Sequence, residues 1–335
     1  MRKGVTIKDI ARKLNMSVST VSKALHNDPT ISTLTRERVH QLAGEWNYVP
    51  NEAARNFQLN RSFTIGLIIP DLLDQFFGLA INGVEKIAME QQYNVIVSQS
   101  HEDAFHEEKI VDTMIRHRVD GVIVAISKHT QNMLPFQKLV NFGIPVVFLS
   151  RPPSDNSYCY VATNNEDGAL KAMDYLVKKG HKRIAHLMGP ASMAVCQLRL
   201  EGYKKRLARH KIPFDASLVK EVDLTQKSTC KAIDQLLRMK SPPTAVFTFK
   251  NYISLDAIDH LKRKYPALKP AIEFVGFGNL PLIQHLDQKP AASIEENSFD
   301  MGIEAARLLF KHIHAADEML PLVKVEIPCK LVIHQ

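Results

Sequence analysis

Short hydroxyl side chains and one lysine stand close together in residues 17–23, which have the sequence Ser-Val-Ser-Thr-Val-Ser-Lys. Hydroxyls can donate and accept hydrogen bonds, and an ammonium group can approach phosphates or the O6 and N7 atoms of guanine. Because Ser and Thr are short, the backbone that carries them can enter the major groove of DNA. The chemistry that these residues offer is polar recognition of a polyanion.

Basic residues are also enriched in the first part of the chain. The whole sequence has a formal net charge of +8, and residues 1–60 contain nine Lys or Arg residues against five acidic ones. A positive surface attracts polyanions, but the solvated face of an ordinary protein can have the same composition. The charge therefore favours a nucleic-acid partner without establishing one.

Three short helices are predicted to position the hydroxyl cluster. Thr6, with Asp9 three residues later, has the pattern of a capping box at the start of the first helix. Ser17 is the expected N-cap of a second helix over residues 18–25, and Ser32 that of a third. Two helices joined by a tight turn, with small hydroxyls at the start of the second, form a helix-turn-helix. A generic three-helix bundle is the alternative that this pattern leaves open.

Length and composition limit the class of protein. A chain of 335 residues fits two or three domains, and 45% hydrophobic with 23% charged residues is typical of globular proteins. No apolar run approaches the ~18 residues that span a bilayer, and the first residues lack the apolar core of a signal peptide. The four cysteines are scattered, as reduced thiols would be. We therefore expect a cytoplasmic protein that does not enter a membrane.

After Phe63 the sequence alternates between strands and helices. Apolar runs predict strands, and amphipathic segments between them predict helices. Such alternation indicates parallel sheets covered on both faces, and two series of it indicate two lobes with a cleft at the carboxyl ends of the strands. The predicted strands are 64–69, 93–97, 121–126, 145–149, 183–188, 244–249 and 272–277.

Other chemical signals are weak. A set of His and Glu residues has the residue types of a metal site, but it begins a predicted helix, where acids are favoured by the dipole: His101, Glu102, His106, Glu107 and Glu108. The segment 276–278 lacks the third glycine of a dinucleotide fingerprint. No nucleophile and base are recognisably paired. We therefore predict no metal, no cofactor and no enzymatic activity.

Four segments of the first 55 residues closely resemble the amino terminus of the LacI/GalR family of bacterial repressors: 5–11, 17–23, 35–39 and 48–55. The resemblance continues through the core, where the matching segments are 165–168, 180–185, 189–190 and 199–203. It implies a transcription regulator, most simply a repressor, that binds a palindromic DNA operator as a homodimer and is allosterically controlled by a small effector.

The resemblance assigns roles to residues of the DNA-binding unit. Val18, Ser19 and Lys23 take the main base-reading positions in the major groove. Lys23 stands where Arg is common in the family, and without the planar fork of Arg its discrimination should be softer. His26 replaces a frequent Asn and is expected to contact the DNA backbone. The remaining positions would mostly hold phosphates or complete the interface: Thr6, Ser17, Thr20, Ser22 and Thr35.

Residues 50–61 are predicted as a hinge helix and linker. The segment is too short and too polar for a stable isolated helix, and in the family it folds on DNA, where two copies pair in the minor groove. Phe57 stands where the wedge residue of the family is usually Leu, and aromatic wedges are known in minor-groove binders. Packing of Phe57 against its twin or the core is the alternative. The other hinge residues predicted to contact DNA are Asn51, Ala54, Arg55 and Gln58.

The resemblance implies a small all-α helix-turn-helix domain followed by an α/β core like the periplasmic binding proteins, made of two doubly wound parallel-sheet lobes. The domain ranges are 1–49 for the helix-turn-helix, 50–61 for the hinge and 62–335 for the core. Within the core, the amino-terminal lobe takes about 62–160 plus 291–320, and the carboxyl-terminal lobe about 161–290 plus 321–335. The last residues contain no heptad pattern, so we expect a dimer and not a tail-linked tetramer.

By the same resemblance, an effector binds between the lobes. Gly278 stands where most members have a ligand-binding Asp, Lys250 is an added cation, and Glu296 replaces a common Gln. The complete predicted set is Phe76, Phe77, Ser150, Met193, Arg199, Phe247, Lys250, Gly278 and Glu296.

One acid lost and one cation gained at pocket positions predict an anionic effector, such as a sugar acid or sugar phosphate, bound by Arg199 and Lys250. In a second interpretation Lys250 pairs with Glu296 across the cleft or points to water. In a third, a protein partner controls the regulator. A solute-binding protein without DNA function is a further rival, disfavoured by the intact residues 5–55, and a catalytic α/β protein is a distant one.

Overall fold

The computed structural model describes residues 5–49, 61–153, 157–268, 272–315 and 320–334. The chain forms two compact units, Met1–Ser62 and Phe63–Gln335. Most of the predicted hinge, residues 50–60, lies outside the described residues. Among the helices that the structure describes, none is long and apolar enough to cross a membrane.

Three helices make up the described part of the first unit, as predicted: α1 (Ile7–Leu14), α2 (Val18–Leu25) and α3 (Thr33–Glu45). The Oγ of Ser17 accepts a hydrogen bond from the backbone N–H of Thr20 at 3.0 Å, and the Asp9 carboxylate accepts one from the backbone N–H of Thr6 at 3.0 Å. These caps satisfy donors that the helix itself cannot. One small core, with Ile10, Val21 and Val39 fully buried, holds the helices together.

The second unit contains two six-stranded sheets. The first has the strand order β11-β5-β4-β3-β1-β2, and all its neighbouring strands are parallel. Its strands are β1 (Thr64–Ile69), β2 (Asn94–Gln99), β3 (Gly121–Val124), β4 (Val146–Leu149), β5 (Cys159–Thr163) and β11 (Lys324–Ile327). The helices that connect and cover them are α4 (Gln75–Glu90), α5 (Ala104–Arg116), α6 (Leu134–Asn141) and α11 (Ser298–Ala315).

The second sheet has the order β12-β10-β9-β8-β6-β7. Its strands are β6 (Ile184–Met188), β7 (Val219–Glu221), β8 (Ala245–Thr248), β9 (Glu273–Phe277), β10 (Ala292–Glu295) and β12 (Lys330–Ile333). Its helices are α7 (Asn165–Lys178), α8 (Ala194–Arg209), α9 (Gln226–Leu237) and α10 (Asn251–Lys264), with short 3-10 turns at Ala216–Leu218 and Pro281–His285. The two doubly wound lobes are as predicted, except that the edge strand β12 pairs antiparallel with β10.

The chain crosses between the lobes three times, and each crossing lies a few residues later than the predicted boundary. β5 pairs entirely with the first sheet, so the first crossing follows Thr163 and not residue 160. β10 pairs with the second sheet, which moves the second crossing from 290 to beyond Glu295. β11 returns to the first sheet, so the third crossing lies between Ile327 and Lys330 and not at 320. The sheet in which a strand is paired decides these boundaries. The apolar periodicity of the sequence predicts a strand but not the sheet to which it belongs.

Two glycines let α4 and α11 pack backbone against backbone. A Cβ at Gly83 would stand 2.1 Å from the carbonyl oxygen of Phe299, and one at Gly302 would stand 2.1 Å from that of Ala80. Backbone atoms cannot move aside as a flexible side chain can. The close contact therefore requires glycine at both positions, and it fixes α4, whose first turn borders the cleft, against the helix after β10.

We expect Gly83→Ala to destabilise the second unit by about 1–3 kcal/mol, because overpacking must push two helices apart. Gly78→Ala on the same helix is the matched control, since a Cβ added there would meet no atom within 4 Å. It should be neutral or stabilising by up to about 1 kcal/mol. Urea unfolding of the full chain measures both changes, and equal effects of the two substitutions would contradict the proposed close contact.

Candidate functional site

The exposed face of α2 carries the residues predicted to read DNA bases. Val18 is 41% exposed, and Ser19 and Lys23 are also accessible to solvent, whereas Val21 and Ala24 on the opposite face are fully buried. One face of the helix is thus used for packing and the other is presented to solvent. This is the arrangement of a recognition helix that enters the major groove.

Most of the predicted phosphate-binding hydroxyls lie at helix starts, and Ser22 is the exception within α2. The Oγ1 of Thr20 is 2.8 Å from the Oγ of Ser17, and the Oγ1 of Thr35 is 2.9 Å from the Oγ of Ser32. Helix amino termini present backbone N–H groups that favour anions. Ser22 is half-buried, and its carbonyl oxygen lies 2.7 Å from the Nδ1 of His26, an exposed residue at the end of α2. The predicted hinge contacts Asn51, Ala54, Arg55, Phe57 and Gln58 lie outside the described residues.

A cleft lies between the lobes of the second unit, at the carboxyl ends of the strands. The space between its walls that no protein atom fills, including a part open to solvent, amounts to about 780 Å³. Eight of the nine predicted effector residues line it: Phe76, Phe77, Ser150, Met193, Arg199, Lys250, Gly278 and Glu296.

Phe247, the ninth, does not line the cleft, so its prediction is corrected. It is fully buried within β8, and its ring stacks on His186 with the centroids 4.6 Å apart. Phe249 lines the cleft instead. The reason is position along the strand: Phe247 lies in the interior of the sheet, whereas Phe249 lies just past the carboxyl end of β8, where the cleft opens.

The guanidinium of Arg199 is buried and engaged by the protein itself. Its Nη2 donates to the Oε1 of Glu296 at 2.9 Å, its Nε donates to the Oδ1 of Asn165 at 2.8 Å, and its Nη1 donates to the carbonyl oxygen of Phe249. The cation also stacks on two rings, 3.5 Å from the centroid of Phe277 and 4.5 Å from that of Phe249. Arg199 lines the cleft, but much of its hydrogen-bonding capacity is already used.

Lys250 forms an ion pair across the cleft, with a partner that the sequence did not suggest. Its Nζ lies 3.2 Å from the Oδ2 of Asp74, so the predicted alternative of a pair with Glu296 is wrong. Asp74 is the N-cap of α4, where its other oxygen accepts from the N–H of Phe76 at 3.1 Å. The hydroxyl of Tyr252 accepts a hydrogen bond from the N–H of Gln75 at 3.4 Å. The amino termini of α4 and α10 are thus tied together between the lobes.

Glu296 keeps one carboxylate oxygen available to the cleft. Its Oε1 is bound by Arg199, while its Oε2 has no hydrogen-bond partner among the described residues and lies 3.9 Å from the point where a Cβ of Gly278 would stand. Burial is the largest cause that raises the pKa of Glu296, to about 7, although Arg199 opposes this. Burial also lowers the pKa of Arg199.

The charged side chains that line the cleft balance. Three are cationic (Arg151, Arg199 and Lys250) and three are acidic (Asp74, Glu295 and Glu296). When Glu296 is ionised, the numbers of positive and negative side chains are equal, so the lining has no excess of cations to attract an anion.

The set of His and Glu residues around 101–108 serves the fold. Both oxygens of Glu102 accept from Arg151, at 3.0 and 2.9 Å, and the buried Glu107 accepts from the N–H of Ser127 at 2.8 Å and the hydroxyl of Thr130 at 2.5 Å. Within the described parts of the chain, no group of three or more His, Cys, Asp or Glu side chains could hold a metal ion.

Sequence reasoning missed several cleft residues, most clearly Asp74, Phe249 and Tyr252, and also Asn165, which holds Arg199 from behind the lining. Asp74 had a usable signal, because an Asp directly before a predicted helix is a strong N-cap candidate and would lie at a strand's carboxyl end. Asn165 had none, since its contact with Arg199 joins residues far apart in the chain.

A helix-turn-helix unit together with a two-lobed α/β core that carries a cleft defines the class of DNA-binding transcription regulators. Family models agree: residues 6–51 match "Bacterial regulatory proteins, lacI family", and residues 62–335 match "Periplasmic binding proteins and sugar binding domain of LacI family". The chain belongs to the LacI family, and it is a transcription regulator and not an enzyme.

Relatives cover nearly the whole chain. The repressor CytR of Escherichia coli K12 is 34% identical over 91% of this chain and 88% of its own length. Catabolite control protein A of Priestia megaterium is 29% identical over 92% and 93%. Among solved structures, the CelR–cellobiose complex (26% identity, TM-score 0.73) and a lac repressor dimer bound to operator (24%, TM-score 0.84) each cover 98% of this chain and 98% of their own.

The raised pKa of Glu296 predicts a pH-dependent stability. An acid that binds its proton more tightly when folded stabilises the fold fully below its ordinary pKa of 4.5, and this contribution is lost as the pH rises through about 7. The melting temperature of the wild type relative to Glu296→Gln, which cannot titrate there, should therefore fall between pH 5 and 8. A constant difference across that range would show that Glu296 titrates normally.

Proposed function

We propose that this regulator binds a palindromic operator as a dimer, with α2 of each protomer in the major groove. The observation that carries the proposal is the exposed face of α2, where Val18, Ser19 and Lys23 point away from a fully packed core. In a dimer the two units meet half-sites one helical turn apart, so the operator symmetry follows that of the protein. Such a protein acts in the cytoplasm, where the DNA is.

The proposed hinge, residues 50–61, allows the affinity of the regulator for DNA to be controlled. We infer that the hinge contacts the minor groove, with Phe57 at the central base step. Anything that changes the distance between the two hinges then changes the stability of the bound state. The effector, by favouring one lobe orientation of the core, either separates the hinges or holds them together.

The effector site is the cleft between the lobes. Two contacts join the lobes beside the cleft: the ion pair of Asp74 with Lys250 and the hydrogen bond of Gln75 with Tyr252. A ligand bound next to them can therefore change the relative orientation of the lobes. The predicted anionic effector would have to displace carboxylates from both Arg199 and Lys250. The balanced charge of the cleft therefore favours a neutral small molecule, in line with the cellobiose named for the CelR structure.

Lys23→Ala should lower the affinity of the full chain for its operator about tenfold, because a base-reading contact is worth about 1–3 kcal/mol. Lys13→Ala is the matched control, since it removes an equal charge from α1, which is not the recognition helix. The operator comes from selection in a random duplex library, and fluorescence anisotropy measures both affinities.

The same anisotropy measurement on non-specific duplex distinguishes a loss of base contacts from a loss of electrostatic attraction to the phosphates. Lys23→Ala should alter that affinity no more than Lys13→Ala does, and both should reduce the salt dependence slightly. An equal loss on operator and on non-specific DNA would assign Lys23 to the phosphate backbone. Selection of sites without two-fold symmetry would contradict the dimeric mode.

The small-molecule control is tested with a low-molecular-weight extract of the producing cells. A ligand that binds only the folded state raises the melting temperature, so the extract should stabilise the full chain and alter its operator affinity. An extract that does neither, combined with a macromolecular fraction that alters operator binding, would establish the alternative of a protein co-regulator.

A further inference from the structure

Position 278 leaves space in the cleft that a carboxylate borders. Gly278 has a φ of +91°, a backbone conformation that L side chains rarely adopt. Here the Oε2 of Glu296 lies 3.9 Å from the point where the side chain would begin. A carboxylate oxygen therefore borders the same space, but it comes from a different segment of the chain.

The contacts of Glu296 fix which oxygen faces the cleft. Arg199 holds Oε1 at 2.9 Å, and the guanidinium cannot rotate away because it is stacked against Phe277 and Phe249 and donates to Asn165. Glu296 itself is only 8% exposed. The contact of Arg199 with Oε1 therefore holds Oε2 in place as an acceptor, and Oε2 has no hydrogen-bond partner among the described residues. Arg199 thus acts on the ligand site by positioning Glu296.

The surroundings of Oε2 define what can satisfy it. When Glu296 is ionised, its Oε2 only accepts hydrogen bonds, and the negative charges of Asp74 and Glu295 act on the same carboxyl group and add to burial in raising its pKa. An anionic group placed here would be repelled, whereas a hydroxyl or N–H would donate to Oε2. Phe76 and Leu280 supply apolar wall on the cleft lining, suited to the non-polar face of a ring.

We propose that Glu296 determines effector specificity by presenting the acceptor Oε2 to the space beside Gly278. The effector is then a neutral molecule that donates a hydroxyl or N–H to the Oε2 of Glu296 in the space beside Gly278. This inference rests on the proposed control by a small molecule in the cleft, and it adds the class of ligand and the residue that selects it.

The test passes the low-molecular-weight extract through a strong anion exchanger and measures the melting temperature of the full chain with each fraction. The flow-through, which holds neutral and cationic molecules, should stabilise the wild type and should still do so after a strong cation exchanger has removed the cations, whereas the retained anions should not. Stabilisation by the retained fraction alone overturns the inference while leaving small-molecule control intact. Stabilisation by neither fraction overturns both.

Three variants then test the residue, each checked for native fold by circular dichroism. Glu296→Gln keeps an acceptor for Arg199 but turns a donor toward the ligand, so the flow-through concentration needed for half the stabilisation should rise about tenfold or more. Adding Gly278→Asp to Glu296→Gln returns a carboxylate to the same space and should recover part of the response.

Gly278→Asn in the same Glu296→Gln background is the matched control, because Asn has the same backbone strain and shape as Asp without the charge. Its amide oxygen also accepts a hydrogen bond but lacks the charge that strengthens it, so Asn should recover less than Asp. An unchanged response of Glu296→Gln, or equal recovery by Asp and Asn at position 278, overturns the assignment of Glu296 as the selecting acceptor.

Discussion

The buried guanidinium of Arg199 joins the parts of the chain that form the cleft. It binds Asn165 at the start of α7, the carbonyl oxygen of Phe249 after β8 and Glu296 after β10, and it stacks on Phe277 at the end of β9. A buried cation is tolerated only when its donors are matched and its charge is compensated. Because this single group contacts four strand and helix ends, it holds their side chains together on one part of the cleft lining.

The ion pair of Asp74 with Lys250 complements these buried contacts with a contact that can change. Its two side chains are partly exposed and belong to different lobes, so a change in lobe orientation can break it at little cost in stability. A ligand that alters this contact shifts the balance between orientations by its differential affinity for them. The cleft thus contains two kinds of ion pair: the buried pair of Arg199 with Glu296, and the partly exposed pair of Asp74 with Lys250 between the lobes.

The DNA-binding unit depends on neither feature. Its recognition face comes from eight consecutive residues of α2, and its packing comes from a core of its own around Ile10, Val21 and Val39. This independence agrees with the proposed function, in which the small unit contributes the base contacts and the core contributes dimerisation and control.

The amino-acid sequence by itself determined the helix-turn-helix and the two α/β lobes, because caps, apolar periodicity and motif spacing act over a few residues, and the family resemblance added eight of the 22 residues that line the cleft. It did not determine that Phe249 and not Phe247 faces the cleft, nor that Lys250 pairs with Asp74 and Arg199 with Glu296. These pairs join residues 176 and 97 positions apart in the chain. Only the register of the sheets and the meeting of their carboxyl ends brings such distant side chains within hydrogen-bond distance, so their partners and the ligand chemistry that follows were decided by the tertiary structure.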